Sequence, residues 1–436
     1  MAVNVETLGT LERRLSMSVP AAEVERQVDE RLKKLSRNVK MSGFRPGKVP
    51  MKLVAAQYGP QVHYEVLGEA VQKAFTDAVK EANLKVAGQP KIEPQSEKDA
   101  NEQQMSFSAT FEIYPEVKLG DLSSKTVERP QVEVDDAAID KTVDILRKQR
   151  GQFEKVERAA QDGDRVTVDF EGKIDGVAFP GGASKGFAFA LGEGRMLPEF
   201  EAAARGMKAG ETKSFDLAFP ADYHGKDVAG KKAVFSITMG EVAELKLPAL
   251  DAEFAKQLGV ADGDVAKMRA DVKANVEREV KKRVEARVKN QVMQALVEST
   301  PLELPKSLVA QEAQALVQRA AEDLKARGMK IEQVPLDPAA FEESAKRRVA
   351  LGLIIAELSR AENLQPKPQQ VRAMIEAESQ SYENPAEVVK WFYMQPQRLS
   401  EMEGLALETN VVAWVLGKAK VADKAVPFDE LMAGGA

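Results

Sequence analysis

Hydrophobic and polar positions alternate near the start of the chain. Between Val3 and Val19, the order Leu11, Arg13, Leu15, Met17, Val19 predicts strand. Pro20 closes that stretch. From Ala21 to Asn38 the spacing changes to that of a helix, through Val24, Val28, Leu32 and Leu35. Residues 60–82 read as a second helix, with Val62, Val66, Ala70, Phe75 and Val79 near one side. Two further strands are expected around Lys85–Glu93 and Gln104–Ile113, giving a βααββ unit. Across residues 114–150, Val132 and Val134 suggest an extended piece. Ile139, Val143 and Leu146 then suggest a helix.

Alternation returns at Val166, Val168 and Phe170, again at Phe187, Phe189 and Leu191, and again over Thr212–Phe219 and Val234–Ile237. Asp175-Gly176 between two such runs is a hairpin turn signal. After residue 246 the pattern is helical to the end. Pro301, Pro305, Pro335, Pro338, Pro366, Pro368, Pro385 and Pro396 divide it into separate helices. In one of them Val272, Val276, Val280, Val284, Val288 and Val292 recur every four residues, extended by Met268 and Leu296. At 3.6 residues per turn such a stripe drifts by about 40° per step and winds around the helix. Two readings follow: a helix buried against different neighbours along its length, or an arm with an apolar strip open to other polypeptides. The run Trp391-Phe392-Tyr393 reads as packing, Trp414 with its valine neighbours as a buried helix, and the tail from Val421 as frayed.

Composition sharpens these boundaries. Residues 151–246 hold 14 of the 29 glycines and 10 of the 25 aromatic residues, whereas residues 247–436 hold only 8 glycines. A turn-rich β unit therefore gives way to long helices. With 436 residues, several domains are expected. The chain has no cysteine and two histidines, His63 and His224, which excludes disulfides, thiolate zinc sites, cysteine nucleophiles and multi-histidine metal centres. No signal peptide or apolar run long enough to span a membrane is evident, so a cytoplasmic location is the default expectation.

The pieces V-x-V-x-F-x-G (166–172), D-G-x-x-F (175–179), L-G-x-G-x-M-L-P-x-F-E (191–201), G-M-x-x-G-E (206–211) and Y-x-G (223–225) occur in one order over about 80 residues. This order resembles the FK506-binding (FKBP) type of prolyl isomerase. The resemblance implies a pocket lined by Phe170, Phe179, Phe187, Met196, Leu197, Phe200, Tyr223 and Phe235. Phe200 stands where the stand-alone enzymes usually carry tryptophan, and Pro180 where many carry aspartate. The implied chemistry suits the composition, because twisting an X-Pro bond needs an apolar pocket and no nucleophile, base, metal or cofactor. The alternative is that these rings are only the core of a small barrel. Two nucleotide motifs fall short: Gly225–Lys231 has P-loop spacing but Lys232 follows it, and Gly192-Glu193-Gly194 lacks the third glycine at Leu197.

The net charge of −6 conceals a reversal. Residues 31–52 contain eight basic residues (Arg31, Lys33, Lys34, Arg37, Lys40, Arg45, Lys48, Lys52) and no acidic one. Within them Gly43-Phe44-Arg45-Pro46-Gly47-Lys48-Val49-Pro50 reads as a loop, with one aromatic beside fixed cations. That combination suits a ribonucleoprotein surface, offering contacts to phosphate and an anchor for an apolar pocket. The loop resembles the G-F-R-x-G-x-x-P signature of the trigger factor family of bacterial ribosome-associated chaperones.

That resemblance covers essentially the whole chain and implies a multidomain α+β architecture. Residues 1–112 would be a mixed α/β ribosome-binding domain. Residues 113–150 would be a linker and the first part of a helical chaperone domain. An inserted FKBP-like β-rich domain would occupy residues 151–246, and the all-α remainder with two helical arms residues 247–436. Gly43, Phe44, Arg45, Pro46, Gly47 and Lys48 would dock at the polypeptide exit of the large ribosomal subunit. Partners would be nascent and unfolded polypeptides, with no membrane and no nucleic acid beyond ribosomal RNA phosphates. A homodimer away from the ribosome stays open. ATP dependence, cofactors and metals are not expected. Two other functions remain: principally a prolyl isomerase, or an assembly chaperone working off the ribosome.

Overall fold

The computed structural model describes residues 4–41, 44, 49–95, 104–223, 225, 227–329, 336–380, 382 and 384–434. The chain divides into two compact units. The first comprises residues 1–129 and 287–423, the second residues 130–286 and 424–436. The architecture is multidomain α+β, with a five-stranded sheet in the middle of the sequence.

In the first unit, β1 (Asn4–Thr7), β2 (Glu12–Pro20), β3 (Val86–Pro94) and β4 (Gln104–Ile113) form an antiparallel sheet in the order β1-β2-β4-β3. Leu15 lies opposite Ala109 and Met17 opposite Phe107. The helices α1 (Ala21–Asn38) and α2 (Met51–Glu81) pair with each other and bury Val24, Leu32, Val54, Val62, Val66 and Val71 with Val19. Phe75 meets Phe111 edge-on at 5.3 Å. The 3.6-residue spacing gives both ends of α1. It does not give the start of α2, which begins at Met51 and not near residue 60. Pro60 lies inside that helix. It cannot donate to the Ala56 carbonyl, yet Val54 and Val62 on either side are both buried in the same core. Packing outweighs the lost hydrogen bond.

The second unit contains α3 (Asp136–Arg150), β6 (Gln152–Val156), β7 (Arg165–Ile174), β8 (Val177–Ala190), α4 (Pro198–Ala204), β9 (Thr212–Ala218), β10 (Lys232–Lys246) and α5 (Ala252–Gln257), following β5 (Thr126–Gln131) at the boundary. Five strands make one antiparallel sheet in the order β6-β10-β7-β8, with β9 also on β10. The β7–β8 hairpin turns at Asp175-Gly176, both at positive φ (49° and 79°), the conformation that an Asp-Gly pair adopts most readily.

Next comes α6 (Val265–Ser299), whose 35 residues span about 52 Å at 1.5 Å each. Met268, Val272, Val276 and Val280 are buried with Ile139, Val143 and Phe254 of the second unit. Val288, Val292 and Leu296, which belong to the first unit, are buried as well. Of the two readings of the valine stripe, the buried one holds: a winding stripe serves a helix whose environment changes along its length.

The first unit continues with α7 (Lys306–Ala326), α8 (Glu342–Ala361), α9 (Pro368–Ser379), α10 (Pro385–Met394) and α11 (Pro396–Leu416). α7 and α8 meet through Val309, Ala313 and Ala345; α9 and α11 meet through Val371, Ile375, Met402 and Ala406. The start of α7 is clasped by Glu112 at the end of β4. Its carboxylate accepts from Lys306 N (2.9 Å), Ser307 N (2.7 Å) and Ser307 Oγ (2.6 Å). Burial pushes this carboxyl up, but the Ser307 and Lys306 donors outweigh it and hold Glu112 below its ordinary value. Trp414 donates to Glu362 at 3.2 Å, with Val411 and Val415 buried beside it.

Two late expectations are corrected. Instead of fraying from Val421, the chain forms β11 (Lys420–Ala425), paired with β5, and α12 (Phe428–Ala433). Val426 and Leu431 are buried among Ile139, Val143 and Val276, so two apolar anchors hold this short segment. In the aromatic run only Phe392 joins a core; Trp391 and Tyr393 are exposed, Trp391 lying under Arg398 at 3.8 Å.

Candidate functional sites: an aromatic cluster and a basic tip

The aromatic cluster grows from strand alternation in the second unit. Phe170 on β7 and Phe235 on β10 turn to the same side of the sheet, and Phe187 arrives from β8. Pro198 opens α4 at a position where its missing N–H costs nothing, and the helix delivers Phe200 beneath them. Phe200 is 2% exposed and Phe235 5%. The Phe200 ring centre lies 5.4 Å from Phe170, 5.9 Å from Phe235, 5.7 Å from Phe215 and 5.8 Å from Phe189, in edge-to-face contacts. Each such pair contributes about 0.5–1.5 kcal/mol beyond area burial.

The other expected lining residues, Phe170, Phe179, Phe187, Met196, Leu197 and Tyr223, are half-buried against this floor. All eight belong to one cluster, two beneath and six partly open to solvent. None carries a carboxyl, amine, imidazole or thiol. Three rings outside the expected set complete it: Phe215, stacked on Phe235 at 6.0 Å, Phe189, and Phe219, 4.9 Å from Tyr223 and 6.0 Å from Phe179. Their signal was present in the alternation and in the crowding of scarce aromatics into this segment.

Gly172 has a specific reason to be glycine. It lies opposite Phe235 in the β7–β10 register, and a Cβ there would sit 2.6 Å from the Phe235 ring. Beneath the sheet edge, Arg158 grips the buried Asp164 through two bonds of 2.6 and 2.9 Å; that hydrogen bonding raises the Arg158 pKa above its ordinary value. His224, in the Y-x-G piece, lies outside the described residues, as does Lys226.

The basic tip belongs to the first unit. Val39 and Met41 after α1, and Val49 before α2, pack on the α1–α2 core, so the loop is held at both ends. Between them Phe44 is 40% exposed, its N–H donating to Met41 O at 3.1 Å. Gly43, Arg45, Pro46, Gly47 and Lys48 lie outside the described residues. Of the remaining basic residues, Arg31 is taken up by Glu69 at 2.7 Å and Glu65 at 3.7 Å. In the sequence Arg31 counts with the basic run, because the packing that brings Glu65 and Glu69 beside it is not visible there. Lys33, Lys34, Arg37, Lys40 and Lys52 are exposed, and among the described residues none forms an ion pair. Met51 and Leu53 are exposed beside them.

An antiparallel sheet with a short helix across it, and a partly open ring cluster between them, defines an FKBP-type peptidyl-prolyl isomerase domain. The family model of that name matches residues 156–240. Around it, the chain belongs to the trigger factor family. Models described as bacterial trigger factor protein and its C-terminus match residues 1–146 and 264–417. It is 54% identical to a trigger factor of Aromatoleum aromaticum, over 100% of both chains. It is also 54% identical to one of Laribacter hongkongensis, over 99% of both, and 53% identical to one of Dechloromonas aromatica, over 97% of both. The chain is therefore a chaperone of this family carrying an FKBP-type isomerase domain. Among the described residues, no helix is long and apolar enough to cross a membrane.

Proposed function

We propose that the chain is an ATP-independent chaperone that docks at the polypeptide exit of the large ribosomal subunit, receives nascent chains there, and isomerises their X-Pro bonds. Docking runs through residues 43–48, with Phe44 as apolar anchor, Arg45 beside it as the principal cation, Lys48 in support, and Gly43, Pro46 and Gly47 completing the segment. The observation that carries this reading is an exposed aromatic on a loop tethered at both ends, flanked by five cations without ion pairs among the described residues. Residues 1–112 would hold the docking site, residues 151–246 the isomerase, and residues 113–150 with 247–436 the helical part that holds clients.

Isomerisation follows from the cluster. The planar imide is resonance-stabilised, and its charge separation is favoured by water. Rotation costs about 18–20 kcal/mol. Phe170, Phe179, Phe187, Met196, Leu197 and Tyr223 form apolar walls above Phe200 and Phe235. Binding proline among them exchanges water for hydrocarbon, which favours the twisted, less polar imide over the planar one. Each 1.36 kcal/mol so gained is a tenfold rate increase.

Co-sedimentation with ribosomes over a salt series tests the docking. Contacts to RNA phosphates release counterions, so the bound fraction falls steeply between about 50 and 200 mM salt. A bound fraction that does not change with salt would remove the phosphate contacts from the proposal.

A further inference from the structure

The pocket proposed above depends on a turn that has no regular structure of its own. Residues 191–197 link β8 to α4 and carry Met196 and Leu197. Gly192 and Gly194 both lie at positive φ (84° and 68°), so the turn takes a path that other residues follow only with strain. Its two ends converge on one group. Glu201, on α4 directly after Phe200, is 7% exposed. Its carboxyl oxygens accept from Gly192 N at 3.2 Å and from Met196 N at 3.5 Å. Among the described residues no cation pairs with it. A buried carboxyl group needs hydrogen-bond partners, and this one takes both from the turn. The Leu197 carbonyl in turn accepts from the backbone N–H groups of Phe200 and Glu201.

From this geometry we infer that Glu201 is a positioning residue for prolyl isomerisation. It clasps the two ends of the 192–197 turn and so fixes Met196 and Leu197 against the Phe200 floor. Reach is what matters: the carboxyl must span to Gly192 and to Met196 together. Shortening the side chain by one methylene draws both oxygens back from the turn, whereas an amide of equal length keeps one acceptor oxygen and sets an NH2 group against the N–H at the other end. The inference rests on the pocket reading, since it concerns the wall of that pocket.

The test uses the full-length chain with E201D and E201Q. The readouts are kcat and KM on a proline peptide, and amide hydrogen exchange over residues 191–197. For E201D, kcat is expected to fall about tenfold with KM little changed, as for a wall displaced by a fraction of an ångström. Exchange at Gly192 and Met196 should quicken in parallel. E201Q is expected to lose less than E201D, about threefold in kcat, with exchange quickened at only one of the two amides. Parental kcat in E201D, or a lowered kcat with unchanged exchange at both amides, overturns the assignment. So does an E201Q loss as large as that of E201D, because burial alone would then explain both. Tyr223→Ala runs alongside as a control on the pocket itself. Full turnover in Tyr223→Ala faults the pocket reading; reduced turnover there with parental E201D faults only the role of Glu201.

Discussion

Adding one methyl group at Gly172 should disable the isomerase through a residue on another strand. In G172A the new Cβ would lie 2.6 Å from two atoms of the Phe235 ring, about 1 Å inside ordinary carbon contact. Phe235 has little room to yield: it is held by Phe170 at 6.1 Å, Phe179 at 6.2 Å, Phe200 at 5.9 Å, Phe215 at 6.0 Å and Phe219 at 6.3 Å. Overpacking of this kind costs about 1–3 kcal/mol. In a domain of about 100 residues, each kcal/mol lowers the melting midpoint by about 4–8 °C. The floor of the pocket shifts with the ring, and a displacement near 1 Å can reduce turnover by about 100-fold. Calorimetry of G172A and a proline-peptide assay read both effects. The cause is isolated by pairing it with F235L, whose smaller side chain leaves room for the methyl group. The double variant should be more stable than the sum of the singles by about 1 kcal/mol, a coupling expected of residues in contact. Parental stability and turnover in G172A, or strict additivity with F235L, would refute the reasoning.

Other outcomes follow from the same geometry. Tyr223→Ala, which removes a half-buried wall residue, should lower kcat/KM by about tenfold while the chain stays folded by circular dichroism; unchanged turnover would remove Tyr223 from the pocket. Glu112→Gln tests the clasp between β4 and α7. The folded value of Glu112 lies below its ordinary 4.5, so its stabilisation is fully present above pH 4.5 and is lost as pH falls through the lower folded value. Urea unfolding should therefore show Glu112→Gln less stable than the parent by about 1–2 kcal/mol at about pH 7. The gap should close in acid, and a gap that widens there contradicts the assignment.

How far the fold is legible in the sequence depends on the scale of the signal. Strand alternation and helical spacing are local; they located α1 and β4 closely and the centres of the strands around Phe170 and Phe235, though β7 runs on to Ile174 and β10 to Lys246. The eight expected lining residues came from the family resemblance that an ordered set of short motifs carries, and the structure gathers them in one cluster. What sequence missed depends on distant partners. The start of α2 hid behind Pro60, because only the α1–α2 core shows that Val54 and Val62 belong to one helix. Arg31 counts as a free cation until α2 brings Glu69 beside it. The tail from Val421 is too short to show a clear period, and its order comes from distant partners: the pairing of β11 with β5 and the burial of Val426 and Leu431. Glu201 lay inside a quoted motif, yet only the folded turn reveals what its carboxyl holds.

The central claim is that this trigger factor family chain works at the ribosome through the tip of its basic loop. Replacing Phe44 and Arg45 together by alanine tests it most directly, because Phe44 is exposed and its removal leaves the α1–α2 core intact. At about 50 mM salt the parent should co-sediment with ribosomes. The double variant should stay in the supernatant, with its melting midpoint and prolyl turnover unchanged. Retained co-sedimentation of the folded double variant would contradict the account.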